Sequence, residues 1–170
     1  RVASIFNSGS ITVGAEANVV FNYGLTEAQA VGLDAGAGTN RIVNNGGIGV
    51  TANAIGVMTR TEATGLRSGI GADDIENHGG FSVQADATAL MGSSRAFATG
   101  FDAGGGDNGI FSDGVIDVRS VASTGSSGAA DAAAFGVRTG SGSDRIENRG
   151  NLSILAEATT AMGSSDASAT

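Results

Sequence analysis

Asp73, Asp74 and Glu76 stand almost side by side in "SGIGADDIENHGG" (68–80), just after the glycines Gly69 and Gly71. Carboxylates beside a glycine-rich turn suit two kinds of chemistry. Their oxygens, with exposed main-chain carbonyls, can surround a hard cation, and glycine N–H groups can cradle a phosphate. Near-copies of the stretch occur elsewhere, as "AGAGTNRIVNNGG" (35–47), "AGGGDNGIFSDG" (103–114) and "TGSGSDRIENRG" (139–150). The loop is therefore a repeated part, and whatever it does is done by an array.

The elements that must position these turns emerge when the copies are aligned on the isoleucine that follows each one. These are Ile5, Ile42, Ile75, Ile110 and Ile146, spaced by 37, 33, 35 and 36 residues. Two positions on stand Asn7, Asn44, Asn77, Ser112 and Asn148, and two further on the residue is always glycine: Gly9, Gly46, Gly79, Gly114 and Gly150. Then come Ile11, Ile48, Phe81, Ile116 and Leu152, next Val13, Val50, Val83, Val118 and Ile154, and later Ala17, Ala54, Ala87, Ala122 and Ala158. All lie on one phase of a period of two, which specifies strand and not helix.

A second fixed block closes each repeat: Ala30, Ala63, Ala98 and Ala134, then Gly32, Gly65, Gly100 and Gly136, then Leu33, Leu66, Phe101 and Val137. All length variation falls between the two blocks, at stretches such as "FNYGL", "MTRTE", "MGSSR" and "TGSSG". Variation confined to one place specifies a wound coil with one variable corner. The expected fold is all-β, a single-stranded β-solenoid of the β-helix or β-roll kind. It has about five coils of 33–37 residues in one continuous unit over 1–170: 5–41, 42–74, 75–109, 110–145 and an incomplete 146–170. Stacking sets Ile on Ile and Val on Val at about 4.8 Å per coil. The Asn7, Asn44, Asn77, Ser112 and Asn148 positions are expected to form an inward amide ladder, structural in role.

Composition limits the function classes. The chain has 29 Gly and no Pro, Cys or Trp, and only 5% of its residues are aromatic. Without Cys there are no disulfides and no thiolate metal sites. A formal charge of −8 argues against nucleic acid as a partner. No apolar run is long enough to insert in a membrane as a helix. The chain opens at Arg1 without a secretory leader pattern, as a mature or excised segment would. At the other end, "DASAT" (166–170) stops one position before the expected glycine. Neither end carries a capping helix, so both are expected to present open coil edges to a second copy or to more of the same array.

Here a resemblance enters. Gly36-x-Gly38-x-Asn40-x-Ile42, Gly71 with Asp73 and Ile75, Gly104-x-Gly106-x-Asn108-x-Ile110 and Gly140-x-Gly142-x-Asp144-x-Ile146 look like the RTX nonapeptide. That resemblance implies Ca²⁺ between stacked turns, with Asp73 and Asp144 as ligands, Asn40, Asn108 and turn carbonyls in support, and Asp107 as an outside candidate. The residues alone admit a plainer account, in which glycine supplies positive φ and Asp or Asn caps the turn. More broadly the pattern resembles the long secreted repeat proteins of bacterial surfaces: adhesins, sheath and matrix proteins. This implies an extracellular or cell-surface, non-enzymatic component of a filament, sheath, surface layer or adhesin shaft. Its expected partner is itself, head to tail.

Other chemistry is weaker. His78, the single histidine, falls on the outward phase and is expected to be solvated. The serines of "MGSS" (91–94 and 162–165) have no base beside them. Glu16, Asn53, Asp86, Val121 and Glu157 read as a solvated column, and Thr12, Gly49, Ser82, Asp117 and Ser153 are too irregular for an ice-binding face. The alternative function is a carbohydrate-binding or carbohydrate-active β-helix. It requires Arg60, Arg67, Arg95, Asp34, Asp102 and Asp131 to converge, with Phe21, Tyr23 or Phe97 as platforms.

Overall fold

The computed structural model describes residues 2–19 and 23–170, so Phe21 lies outside the described residues. These fold into strands grouped three to a coil. The first coil holds β1 (Val2–Asn7), β2 (Ser10–Asn18) and β3 (Leu25–Asp34), and the second β4 (Thr39–Asn44), β5 (Gly47–Gly56) and β6 (Met58–Arg67). The third holds β7 (Asp74–Asn77), β8 (Phe81–Ala89) and β9 (Ser94–Gly104), and the fourth β10 (Gly109–Ser112), β11 (Ile116–Ser127) and β12 (Ala130–Thr139). The last holds β13 (Arg145–Asn148), β14 (Leu152–Met162) and β15 (Ser165–Ala169). Each strand pairs in parallel with its counterparts in the coils before and after, giving three five-stranded sheets: β1-β4-β7-β10-β13, β2-β5-β8-β11-β14 and β3-β6-β9-β12-β15. The chain is a three-sided parallel β-solenoid of about five turns.

The register reproduces the columns read from the repeats. Ile5 pairs with Ile42, Ile42 with Ile75, Ile75 with Ile110 and Ile110 with Ile146. Along the second sheet Ile48 pairs with Phe81 and Val50 with Val83, and along the third Ala63 pairs with Ala98 and Leu66 with Phe101. A one-residue slip would turn each of these columns outward, so the pattern fixes the pairing. The interior is a thin stack: Ile42, Ile75, Leu66, Phe101 and the alanines 52, 54, 63, 96 and 98 are fully buried. The middle coil carries the bulkiest pair, Phe81 and Phe101, with ring centroids 4.6 Å apart and planes tilted by 50°.

Sterics explain the two invariant glycine columns. A Cβ on Gly46 would lie 1.7 Å from the Gly9 carbonyl oxygen, and one on Gly79 would lie 1.8 Å from that of Gly46. The coil beneath leaves no room for a side chain at this corner. Gly32 and Gly65 serve the packing between sheets, since a Cβ there would meet Val50 and Val83 of the next coil at 2.7 and 2.9 Å. The variable corner is the one between the second and third sheets. It is only Val57 between β5 and β6, but 90–93 between β8 and β9.

Candidate functional site

Two polar columns run through this apolar stack, both on the first sheet or the turn that enters it. The first is the amide ladder. Asn7 Nδ2 donates to Asn44 Oδ1 at 2.7 Å, Asn44 Nδ2 to Asn77 Oδ1 at 2.7 Å, and Asn77 Nδ2 to Ser112 Oγ at 3.0 Å. The amides also donate to the corner carbonyls two residues on, Asn44 to Gly46 O at 2.9 Å and Asn77 to Gly79 O at 3.1 Å. Each buried amide thus links its own corner to the next coil, and a serine fits because a hydroxyl can accept in the same place.

The second column is Asn40, Asp73, Asn108 and Asp144, the four residues singled out by the Gly-rich motif. The structure brings them together, one above another. Asn40, Asp73 and Asn108 are each about 2% exposed, whereas Asp144 is only half-buried. Main-chain N–H groups knit the column: Asn40 N donates to Asp73 Oδ1 at 2.8 Å, Asp73 N to Asn108 Oδ1 at 3.2 Å, and Asn108 N to Asp144 Oδ1 at 3.0 Å. The signal for an inward ladder was present in the sequence. A residue two before an inward isoleucine shares its face, but the turn motif drew attention to ligand chemistry instead.

The side-chain nitrogens show what each turn offers. Asn40 Nδ2 sits among four oxygens, Asp73 Oδ1 at 2.9 Å, Gly38 O at 3.0 Å, and Gly36 O and Ser68 O at 3.2 Å. Asn108 Nδ2 donates to Asp144 Oδ1 at 2.9 Å and to Gly106 O at 3.0 Å. In both turns the amide nitrogen ties its own turn to the carboxylate of the next coil. Asp73 is different: its Oδ1 accepts from Asn40, while its Oδ2 is buried and has no hydrogen-bond partner. An orphaned carboxylate oxygen is costly unless something positive meets it. Positive φ at Gly36, Gly69 and Gly104 lets each turn fold its carbonyls inward.

Asp144 ends the column among the described residues. Its carboxyl is held below its ordinary value chiefly by the Asn108 main-chain N–H, against an opposing effect of burial, with further help from the Thr139 hydroxyl and the Asn108 amide. Asp107 is apart from the column. It is exposed and caps the next coil by accepting from Ser143 N at 2.8 Å. Among the described residues, no three His, Cys, Asp or Glu side chains converge as a metal-binding group. The oxygens of these turns are mostly main-chain carbonyls.

Outside the stack, charged side chains pair from coil to coil. Asp34, Arg67, Asp102 and Arg138 form one column of alternating sign, with Arg67–Asp34 at 3.1 Å and Arg138–Asp102 at 3.0 Å. Arg60, Arg95 and Asp131 fall in another column, and Arg60 reaches back to Glu27 at 3.2 Å. Among the described residues of the set required for a saccharide site, Arg60, Asp102 and Phe97 line a common groove, joined by Glu62, Phe135 and Arg138. Tyr23 is exposed elsewhere. His78 is on the outer face but not alone: Nδ1 lies 2.8 Å from Asp113 Oδ1, and its ring is 5.8 Å from that of Phe111. Ser94 of the first "MGSS" is fully buried.

No known protein family, no curated protein and no solved structure matches this chain.

Proposed function

We propose that this chain is a non-enzymatic shaft segment of an extracellular bacterial structure, a filament, sheath, surface layer or adhesin, extended by stacking further coils. One observation carries this reading: the polar groups are spent along the axis. Both Asn columns bond from one coil to the next, and several exposed carboxylates pair with arginines of neighbouring coils, as in Arg67–Asp34 at 3.1 Å and Arg119–Glu157 at 3.2 Å. An enzyme of this fold gathers its carboxylates around one substrate; these are distributed by the repeat. The parallel stacking of like strand on like strand is itself a pattern that further coils can continue. The next coil comes either from a second copy or from more of the same array. Size-exclusion chromatography over rising concentration tests the first route. Growth of the elution size supports head-to-tail stacking, a contact that need not close; a constant monomer refutes it.

One feature favours a second reading. Phe97 and Phe135, each half-buried, lie in the groove over the third sheet with Arg60 and Arg138 at its sides. Aromatic faces flanked by polar donors suit a saccharide. Glycan-array binding that Phe97→Ala abolishes would support this second function, and an empty array would leave the shaft reading alone.

A further inference from the structure

The outer face of the third sheet carries charges that the chain itself leaves unpaired. Its first column runs Glu27, Arg60, Arg95, Asp131 and Asp166 through the coils in order. Arg60 is neutralised by Glu27 at 3.2 Å and Glu62 at 3.5 Å. Arg95, Asp131 and Asp166 make no ion pair among the described residues, although Arg95 and Asp131 are register partners. The next outward column is Gln29, Glu62, Phe97, Ala133 and Ser168. Beyond it stand Thr64, Thr99 and Phe135, and then Arg67, Asp102 and Arg138. Phe97 and Phe135 are the two bulky side chains of this face, in the third and fourth coils, and each remains half-exposed.

We propose that this face binds the same face of a second copy, the two solenoids lying side by side and antiparallel. A two-fold axis in the interface, parallel to the strands, keeps each column opposite itself and reverses the order of the coils. With the axis between the third and fourth coils, Arg95 meets Asp131 of the second copy and Arg60 meets its Asp166, each contact occurring twice. In the neighbouring columns Phe97 meets Ala133, Phe135 meets Thr99 and Asp102 meets Arg138. Bulk thus faces small residues, and charge faces opposite charge. The other placements that overlap three described coils or more oppose like charges. An axis through the second coil sets Arg60 against Arg60, and one between the second and third sets Arg60 against Arg95. Through the third coil Arg95 meets Arg95 and Phe97 meets Phe97; through the fourth, Asp131 meets Asp131. Like charges so juxtaposed are strongly unfavourable, so the column selects one register. This contact goes beyond axial stacking of the shaft, because it closes at two and joins shafts laterally.

The test is sedimentation equilibrium of the whole chain at low salt over rising concentration, with circular dichroism to confirm that each variant is folded. The expected species is a pair of twice the chain mass that weakens with added salt and grows no further. Arg95→Glu alone and Asp131→Arg alone should each stay monomeric, because each sets like charges opposite one another. An equal mixture of the two variants should recover the pair, since each supplies the sign that the other lacks. That recovery separates a contact between copies from one within a chain, which mixing cannot restore. A wild type that stays monomeric overturns the proposal, as does a pair undiminished by Arg95→Glu or a mixture that remains monomeric. Growth past two that both exchanges leave unchanged is coil stacking; it overturns the lateral pair and leaves the shaft reading in place.

Discussion

Replacing Asn77 by alanine removes the centre of the amide ladder, and the cost can be worked bond by bond. Asn77 is fully buried. Its Oδ1 accepts from Asn44 Nδ2 at 2.7 Å, and its Nδ2 donates to Gly79 O at 3.1 Å and Ser112 Oγ at 3.0 Å. Asn44 retains its second contact, to Gly46 O at 2.9 Å, so one of its hydrogens is orphaned rather than both. Three lost bonds at about 1 kcal/mol net each, with a small cavity added, sum to roughly 3–5 kcal/mol. That is a large part of the roughly 5–15 kcal/mol typical of a domain. Asn77→Ser, which copies the residue already present at Ser112 in the same column, keeps an acceptor for Asn44 and should cost about half as much. Urea unfolding followed by far-ultraviolet circular dichroism reads both variants. A loss below about 1 kcal/mol for alanine, or an equal loss for serine and alanine, would show that the ladder does not work as a chain of satisfied amides.

Further outcomes follow from the same packing. Gly79→Ala should lose more than about 3 kcal/mol, because its Cβ would meet the main chain of Gly46, whereas Gly80→Ala, with open space around it, should be near neutral. Val83→Asp buries an unpaired carboxylate between Val50 and Val118 and should abolish the cooperative strand signal in circular dichroism. Asp144 and Glu147 both have carboxyls held below their ordinary values, by the Asn108 N–H and by Arg149 respectively. Their contributions are complete at neutral pH and are lost as pH falls below the ordinary carboxylate range through the lowered folded values. The urea midpoint should therefore drop in acid, and Glu147→Gln should flatten that drop.

The fold was legible because few residue types could satisfy each column. Period-two spacing put Ile42, Ile48 and Val50 on one side, and the pairings of the structure match those columns residue for residue. The fixed glycines were legible as positions but not as causes; their reason is a carbonyl in another coil, which no local rule of turns reveals. The Asn40 to Asp144 column was legible as a set of positions but not as a ladder. A turn motif pointed to it, while the deciding contacts join residues 33 and 36 positions apart and depend on which oxygen each amide faces. The groove containing Phe97 and Phe135 was not legible, because its residues belong to different coils whose outer faces carry no shared pattern.

The shaft reading is tested most directly by cryo-electron microscopy of the protein assembled at high concentration. The account predicts filaments one coil thick, three-sided in cross-section, with strands perpendicular to the long axis and an axial repeat of about 4.8 Å. Filaments whose 4.8 Å repeat runs across the axis would contradict it, and isolated particles at every concentration would contradict its extension by separate copies.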